Sequence, residues 1–205
     1  VQSGGTVTAD TSGEGWSYDS TTATLTLNGA DITTIAHDGV IGESESMDYY
    51  YYYGIFCYGD LNIVVAGDST IDARAAASKS NGIYVNGSLS VSGSAELTAE
   101  GNWRGLYVVE SLILSQSVTL NGIAESTSSG SINGVYVSES ITVSDTANLT
   151  GIAKGGYAST IGIICMKGRI TIDSGATMTG KLEGTNYRSD MNAGVATGNS
   201  SFTSY

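Results

Sequence analysis

Proline is absent from this chain of 205 residues, and histidine occurs once. Cysteine and phenylalanine occur twice each, and only eight residues are Lys or Arg against 20 Asp and Glu. Each scarcity excludes something. A net charge of −12 with few, scattered cations repels nucleic acid and anionic membrane surfaces. The chain holds no apolar run of about 18 residues, so no helical membrane insertion is expected. Two cysteines make no disulfide framework and say little about compartment. The 28 glycines come without proline or a strict three-residue period, which excludes collagen. Charged residues are only 14%, and Val, Ile and Leu recur at regular spacing, which argues against disorder.

A short phrase recurs instead: Gly, an apolar residue, usually an aromatic, then a small apolar residue. It reads Gly54-Ile55-Phe56-Cys57, Gly82-Ile83-Tyr84-Val85, Gly105-Leu106-Tyr107-Val108 and Gly134-Val135-Tyr136-Val137. Gly162-Ile163-Ile164-Cys165 is a weaker copy, and Gly194 opens an incomplete one; the spacings are 28, 23, 29, 28 and 32 residues. Two further alternating stretches follow each copy. The first is Leu61/Ile63, Leu89/Val91, Leu112/Leu114, Ile141/Val143 and Ile170/Ile172. The second is Ile71/Ala73, Ala95/Leu97, Val118/Leu120, Ala147/Leu149 and Ala176/Met178. Period 2 marks strands with one buried face, and Gly-Asp, Asn-Gly and Ser-Gly pairs supply the turns between them.

Three short strands in about 28 residues predict an all-β right-handed parallel β-helix, a solenoid of six to seven coils rising about 4.8 Å each. Missing proline fits, because almost every strand N–H of a stacked coil is needed by its neighbour. The chain reads as one domain over residues 1–205. Residues 1–53 form an atypical N-terminal coil, begun by Trp16 and Tyr18, and a Tyr-rich insertion over residues 37–53. Residues 54–193 hold five regular repeats, and 194–205 an incomplete last coil or cap. The unfinished end leaves three options open: a folded-over cap, further repeats, or end-to-end self-association.

The stacking makes two checkable claims. Cys57 and Cys165 share a column four coils apart, roughly 19 Å at about 4.8 Å per coil, so both are expected as free, buried thiols. Glu125, Lys154 and Glu183 are expected to stack as an alternating charge column, a register aid of a few tenths of a kcal/mol per exposed pair.

Candidate chemistry is sparse. Phe56, Tyr84, Tyr107 and Tyr136 are expected to point outward as an aromatic ladder. Tyr49, Tyr51 and Tyr53, from a run of five tyrosines, flank it as a lid or edge. Thirteen Tyr against two Phe is a skewed choice, and Tyr combines a flat apolar face with a polar tip. Such a row suits a polysaccharide lying across the coils; equally, stacked aromatics stabilise a sheet by themselves. Glu110 and Glu139, with Asp145 and Asp173 nearby, are a weak calcium candidate short of ligands. Outward Thr98, Thr150 and Thr179, beside Thr70, Thr119 and Thr177, form a Thr array interrupted by Glu96, Asn121 and Asn148. No cofactor is implied and no catalytic residue is assigned. His37 reads as a surface-loop residue, and no nucleophile elbow, metalloprotease helix or phosphate loop occurs. Arg74, Arg104, Arg169 and Arg188 fall into no column with an acidic cluster of the kind polysaccharide-cleaving enzymes need.

Gly15-Trp16-Ser17-Tyr18-Asp19, Thr24-Leu25-Thr26-Leu27-Asn28, Asp60-Leu61-Asn62-Ile63-Val64-Val65 and Gly82-Ile83-Tyr84-Val85-Asn86-Gly87-Ser88-Leu89 resemble β-helix repeat modules of secreted or wall-attached proteins of Gram-positive gut bacteria. The wider likeness is to the pectate-lyase-type β-helix superfamily, which holds lyases, hydrolases, adhesins and carbohydrate-binding modules. The resemblance implies an extracellular or cell-surface setting. It carries over no catalytic residue. The expectation is a non-catalytic carbohydrate-binding or adhesin-like module whose partner is a polysaccharide or host glycan. The alternatives are a β-helical polysaccharide lyase or hydrolase, and a purely structural stalk.

Overall fold

The computed structural model describes residues 9–33, 36–38, 51–76, 79–126, 130–155, 159–183 and 192–197. The first strands are β1 (Thr11–Gly13), β2 (Trp16–Asp19), β3 (Thr24–Asn28), β4 (Asp31–Ile32) and β5 (Ala36–Asp38). Coils of three strands follow. These are β6 (Tyr51–Cys57), β7 (Leu61–Gly67) and β8 (Ser69–Asp72), then β9 (Ser80–Val85), β10 (Leu89–Gly93) and β11 (Glu96–Gly101). Next come β12 (Arg104–Val108), β13 (Leu112–Leu114) and β14 (Thr119–Ser126), then β15 (Ile132–Val137), β16 (Ile141–Val143) and β17 (Asn148–Gly155). The last are β18 (Thr160–Cys165), β19 (Ile170–Ile172) and β20 (Thr177–Glu183), with β21 (Asn192–Thr197) beginning another turn.

Corresponding strands of successive coils pair in parallel and build three sheets: a parallel β-solenoid. Sheet A runs β1-β2-β3-β7-β10-β13-β16-β19, sheet B runs β4-β8-β11-β14-β17-β20, and sheet C runs β5-β6-β9-β12-β15-β18-β21. The expected columns of the regular repeats stand in sheets A and C. Leu61, Leu89, Leu112, Ile141 and Ile170 pair in one row of sheet A. Ile55, Ile83, Leu106, Val135, Ile163 and Val195 pair in one row of sheet C. Within these rows, residues of the middle coils such as Leu89, Leu112, Ile83 and Leu106 are 0% exposed, so one continuous core fills the axis.

Three expectations are corrected. The chain makes about four turns from β6 to β18, not six to seven coils, because the irregular ends do not close into turns. The N-terminal segment does not begin with a strand in the sheet C column. Trp16 and Tyr18 lie in β2, which pairs antiparallel with β3 opposite Leu27 and Leu25. Only β3 and β4 join the parallel ladders, through Leu25 opposite Ile63 and Ile32 opposite Ile71. Alternation is the same in either strand direction, so the sequence could not separate a hairpin from a coil. Nor is His37 a loop residue: it is in strand β5, opposite Tyr52, in an antiparallel pair with β6, and residues 39–50 of the expected insertion lie outside the described residues.

A fourth difference is a register slip. Ile71 pairs with Ala99 and Ser69 with Leu97, four residues from the alignment of Ile71 with Ala95. An even slip keeps every side chain on its face, so the pattern does not detect it. The Thr column of sheet B is therefore Thr70, Thr98, Asn121, Thr150 and Thr179.

The repeated glycine has a steric cause. A Cβ on Gly105 would collide with the backbone of Gly122 and Ile123 in β14, and one on Gly134 with that of Gly151 and Ile152 in β17. Sheets B and C thus close backbone to backbone along a glycine seam. Gly105→Ala is expected to destabilise the fold by about 3 kcal/mol, at the upper end for overpacking. Gly59→Ala, where a Cβ meets nothing within 4 Å, is expected to be neutral in the same urea titration.

The cysteines occupy one column, through Val85, Val108 and Val137, and both are free. Only Cys165 is buried; Cys57 is partly open, because its coil lies near the irregular end. Burial also pushes the Cys165 thiol up. In a thiol-reagent assay of the folded protein, Cys57 is expected to react and Cys165 to react only after denaturation.

Candidate functional site: an aromatic face on sheet C

The outward row of sheet C is Phe56, Tyr84, Tyr107, Tyr136 and Ile164, paired one to the next. The rings touch along the whole row. Phe56 and Tyr84 stack with centroids 5.1 Å apart and planes at 6°. Tyr84 and Tyr107 meet edge to face at 4.9 Å and 88°, and Tyr107 and Tyr136 at 4.9 Å and 79°. Such geometry follows the ring quadrupole, and each pair contributes about 0.5–1.5 kcal/mol beyond burial. The ladder is therefore a parallel stack at Phe56 and Tyr84 and a herringbone from Tyr84 to Tyr136, and its rings cover part of one another's faces.

The tyrosine run divides. Tyr49 lies outside the described residues. Tyr51 and Tyr53 are residues of β6. Tyr53 is 3% exposed and packs on Phe56 at 4.9 Å and Tyr84 at 5.3 Å, so it supports the ladder from beneath. Tyr51 stacks on Trp103 at 5.2 Å. Among the described residues the most open ring is Tyr58, 68% exposed, with Phe56 at 4.4 Å edge to face.

Sequence reading missed the group that ties this face together. Arg104 is only 9% exposed, and its guanidinium lies 3.6 Å from the Trp103 ring centroid, 4.3 Å from that of Tyr107 and 4.4 Å from that of Tyr136. Lys79 sits over the other part of the patch, 4.9 Å from Trp103. The Arg104 Nε and Nη1 atoms are buried without hydrogen-bond partners. Aromatic faces thus take the place of a counter-ion. Burial pushes the Arg104 pKa down to about 10, and burial pushes the Tyr107 hydroxyl up. Strict alternation from Leu106 would put Arg104 in the core. Gly105 and Leu106 both face inward instead, so the alternation breaks at the glycine and Arg104 joins the tyrosines outside. Only the collisions facing Gly105 reveal this, and they are not written in the sequence.

The other candidates separate. The Glu110 carboxylate accepts a hydrogen bond from Ser88 at 3.0 Å, and the Glu139 N–H donates to the Glu110 carbonyl at 3.1 Å. Among the described residues no group of three or more His, Cys, Asp or Glu could hold a metal ion. The column Glu125, Lys154, Glu183 stands in register, with Lys154 3.8 Å from Glu183. Glu125 turns instead toward Arg74, at 3.4 Å. Arg74 does join an acidic cluster, against expectation: its Nη2 lies 2.8 Å from Asp72 and 2.5 Å from Glu100. The corrected register of β8 brings this about, since it sets Asp72 beside Glu100. The hydrogen bond from Arg74 lowers the Asp72 pKa, while burial raises that of Glu100. Arg188 lies outside the described residues.

The chain matches no family model, no curated protein and no solved structure.

Arg104→Ala is expected to destabilise the fold by about 2 kcal/mol through lost cation–π contacts. Arg104→Lys is expected not to restore it, because an ammonium cannot lie flat against three rings. Urea titrations with near-ultraviolet circular dichroism of the aromatic band check both.

Proposed function

We propose that this chain is a non-catalytic carbohydrate-binding, adhesin-like module that works outside the cell, displayed at a bacterial surface, and that its solenoid is right-handed. The observation that carries the reading is the continuous aromatic face of sheet C. Phe56, Tyr84, Tyr107 and Tyr136 are part-exposed along successive coils, and Tyr58 stands 68% open at one end. A sugar presents C–H groups on one face and hydroxyls on its rim, which matches phenol rings carrying their own hydroxyls. Tyr84 shows the polar half of the match, its hydroxyl reaching Asn86 at 3.3 Å. The rings are held by the backbone ladder, so little ordering entropy opposes binding. The motif resemblance given above supports the extracellular setting.

The geometry also ranks the residues. Tyr58, the most exposed ring among the described residues, is the leading contact ring and Tyr84, itself stacked on Phe56, the second, ahead of Tyr107 and Tyr136, which carry Arg104 against their rings. Retention of the domain by one polysaccharide class in affinity electrophoresis is the expected result. Tyr58→Ala with Tyr84→Ala is expected to weaken retention at least tenfold, about 1.4 kcal/mol, with an unchanged fold. Unchanged retention, or none across a broad panel, would overturn the reading and leave the structural stalk.

One observation favours the second reading, a polysaccharide hydrolase or lyase. Asp72 and Glu100 share the Arg74 Nη2 and are pushed in opposite directions, as an acid and its partner carboxylate are in glycoside cleavage. Release of reducing ends or unsaturated products, lost in Glu100→Gln, is what that reading requires.

A further inference from the structure

Five Asn-Gly pairs occur in the chain: Asn28-Gly29, Asn81-Gly82, Asn86-Gly87, Asn121-Gly122 and Asn133-Gly134. Each carries a latent reaction, because a glycine nitrogen, unshielded by a side chain, can attack the side-chain amide just before it. The attack needs a backbone able to bend into a five-membered ring, an N–H not committed to an acceptor, and an activated amide carbon. The fold grants these unequally.

Three pairs lie inside the ladder. Asn81 is matched with Tyr53 and Arg104, Asn121 with Thr98 and Thr150, and Asn133 with Arg104 and Ile161. Neighbours on both sides hold each backbone extended, and closing the ring there means breaking ladder bonds. Asn81 and Asn133 are also only 1% and 5% exposed, and the Asn121 side-chain amide donates to Glu96 at 2.9 Å. Asn28 is exposed, but it is the last residue of β3: it pairs with Gly67, and its N–H donates to the Gly15 carbonyl at 2.7 Å.

Asn86-Gly87 is placed differently. It lies in the corner between β9 and β10, and Asn86 is exposed. The Asn86 N–H donates to the Cys57 carbonyl at 2.8 Å and the Ser88 N–H to the Asp60 carboxylate at 2.8 Å, so the corner is anchored on either side of the Gly87 nitrogen. Gly87 is buried against Gly59 and Asp60, yet among the described residues no acceptor takes its N–H. The Tyr84 hydroxyl donates to Asn86 Oδ1 at 3.3 Å, on the oxygen that gains charge when the amide carbon is attacked. A side chain cannot shield the nitrogen either, since a Cβ on Gly87 would collide with the backbone of Gly59 and Asp60.

We propose that Asn86-Gly87 is a self-modifying site, at which the Gly87 nitrogen attacks Asn86 Cγ while the Tyr84 hydroxyl holds the amide oxygen. The N–Cγ bond forms, the Cγ–Nδ2 bond breaks, and the Gly87 proton departs with Nδ2 as ammonia. Water then opens the cyclic imide at either carbonyl, giving aspartate or isoaspartate; nothing is oxidised or reduced. The product sets a carboxylate beside Tyr84, so this corner of the aromatic face gains negative charge as the protein ages. The reaction rests on the geometry of the corner and not on glycan binding.

The test incubates the folded 205-residue chain at neutral and mildly alkaline pH and maps its peptides by mass spectrometry. Fragmentation is needed, because Asn81 and Asn86 fall in one tryptic peptide. Asn86 is expected to convert roughly tenfold faster than the other four pairs, and faster as pH rises, because the attacking nitrogen must lose its proton. In urea the five pairs are expected to react at comparable rates, which assigns the selectivity to the fold. Tyr84→Phe, checked for fold by circular dichroism, is expected to slow the folded reaction roughly threefold and to leave the rate in urea unchanged. An Asn86 that stays intact in the folded chain, another pair that reacts first, or an unchanged folded rate in Tyr84→Phe would each overturn the proposal.

Discussion

Each coil gives its backbone N–H and C=O groups to the coils on either side, so every strand must be extended, unkinked and in step with its neighbours. Most features of the chain follow from that ladder. Proline would delete a ladder bond in any internal strand, and none occurs. Side chains at the same height within successive coils are forced into columns, so the core is a stack of rows: Leu61 through Ile170, Ile63 through Ile172, Cys57 through Cys165. Variation is confined to the corners. The spacing between repeats ranges from 23 to 32 residues, yet β14, β17 and β20 keep step over seven consecutive pairs.

Columns are what a sequence can show, and here the regular part was legible. The inward rows, the outward aromatic row and the charge column of Glu125, Lys154 and Glu183 all stand where the alternation puts them. What stayed illegible shares one cause: alternation fixes a residue's face but neither its direction nor its height. Trp16 and Tyr18 alternate correctly and lie in an antiparallel strand. Ile71 faces inward as expected and sits four residues from its assumed partner. Counting those irregular ends as coils gave six to seven where there are about four turns.

That slip of register had a chemical consequence. Placed opposite Ala95, Ile71 would set Asp72 beside Glu96 and Arg74 beside Thr98. Placed opposite Ala99, it sets Asp72 beside Glu100 and lets the Arg74 side chain span both and reach Glu125. Three carboxylates around one guanidinium keep negative charge in excess there, in a chain already at −12. The network is half open to water, so its worth in stability is small. Its interest lies in the opposite pulls on Asp72 and Glu100.

The aromatic face has a longer causal chain. Sheets B and C approach so closely that only glycine fits at positions 105 and 134. An inward glycine followed by an inward Leu106 breaks the alternation, and the residue before the glycine turns outward. At one coil that residue is Tyr53, which underpins Phe56 and Tyr84; two coils on it is Arg104, which lies against Trp103, Tyr107 and Tyr136. The same backbone irregularity thus supplies both supports of the ladder, one apolar and one cationic. A glycine seam on the inside thus fixes which rings outside are packed on one another and on Arg104.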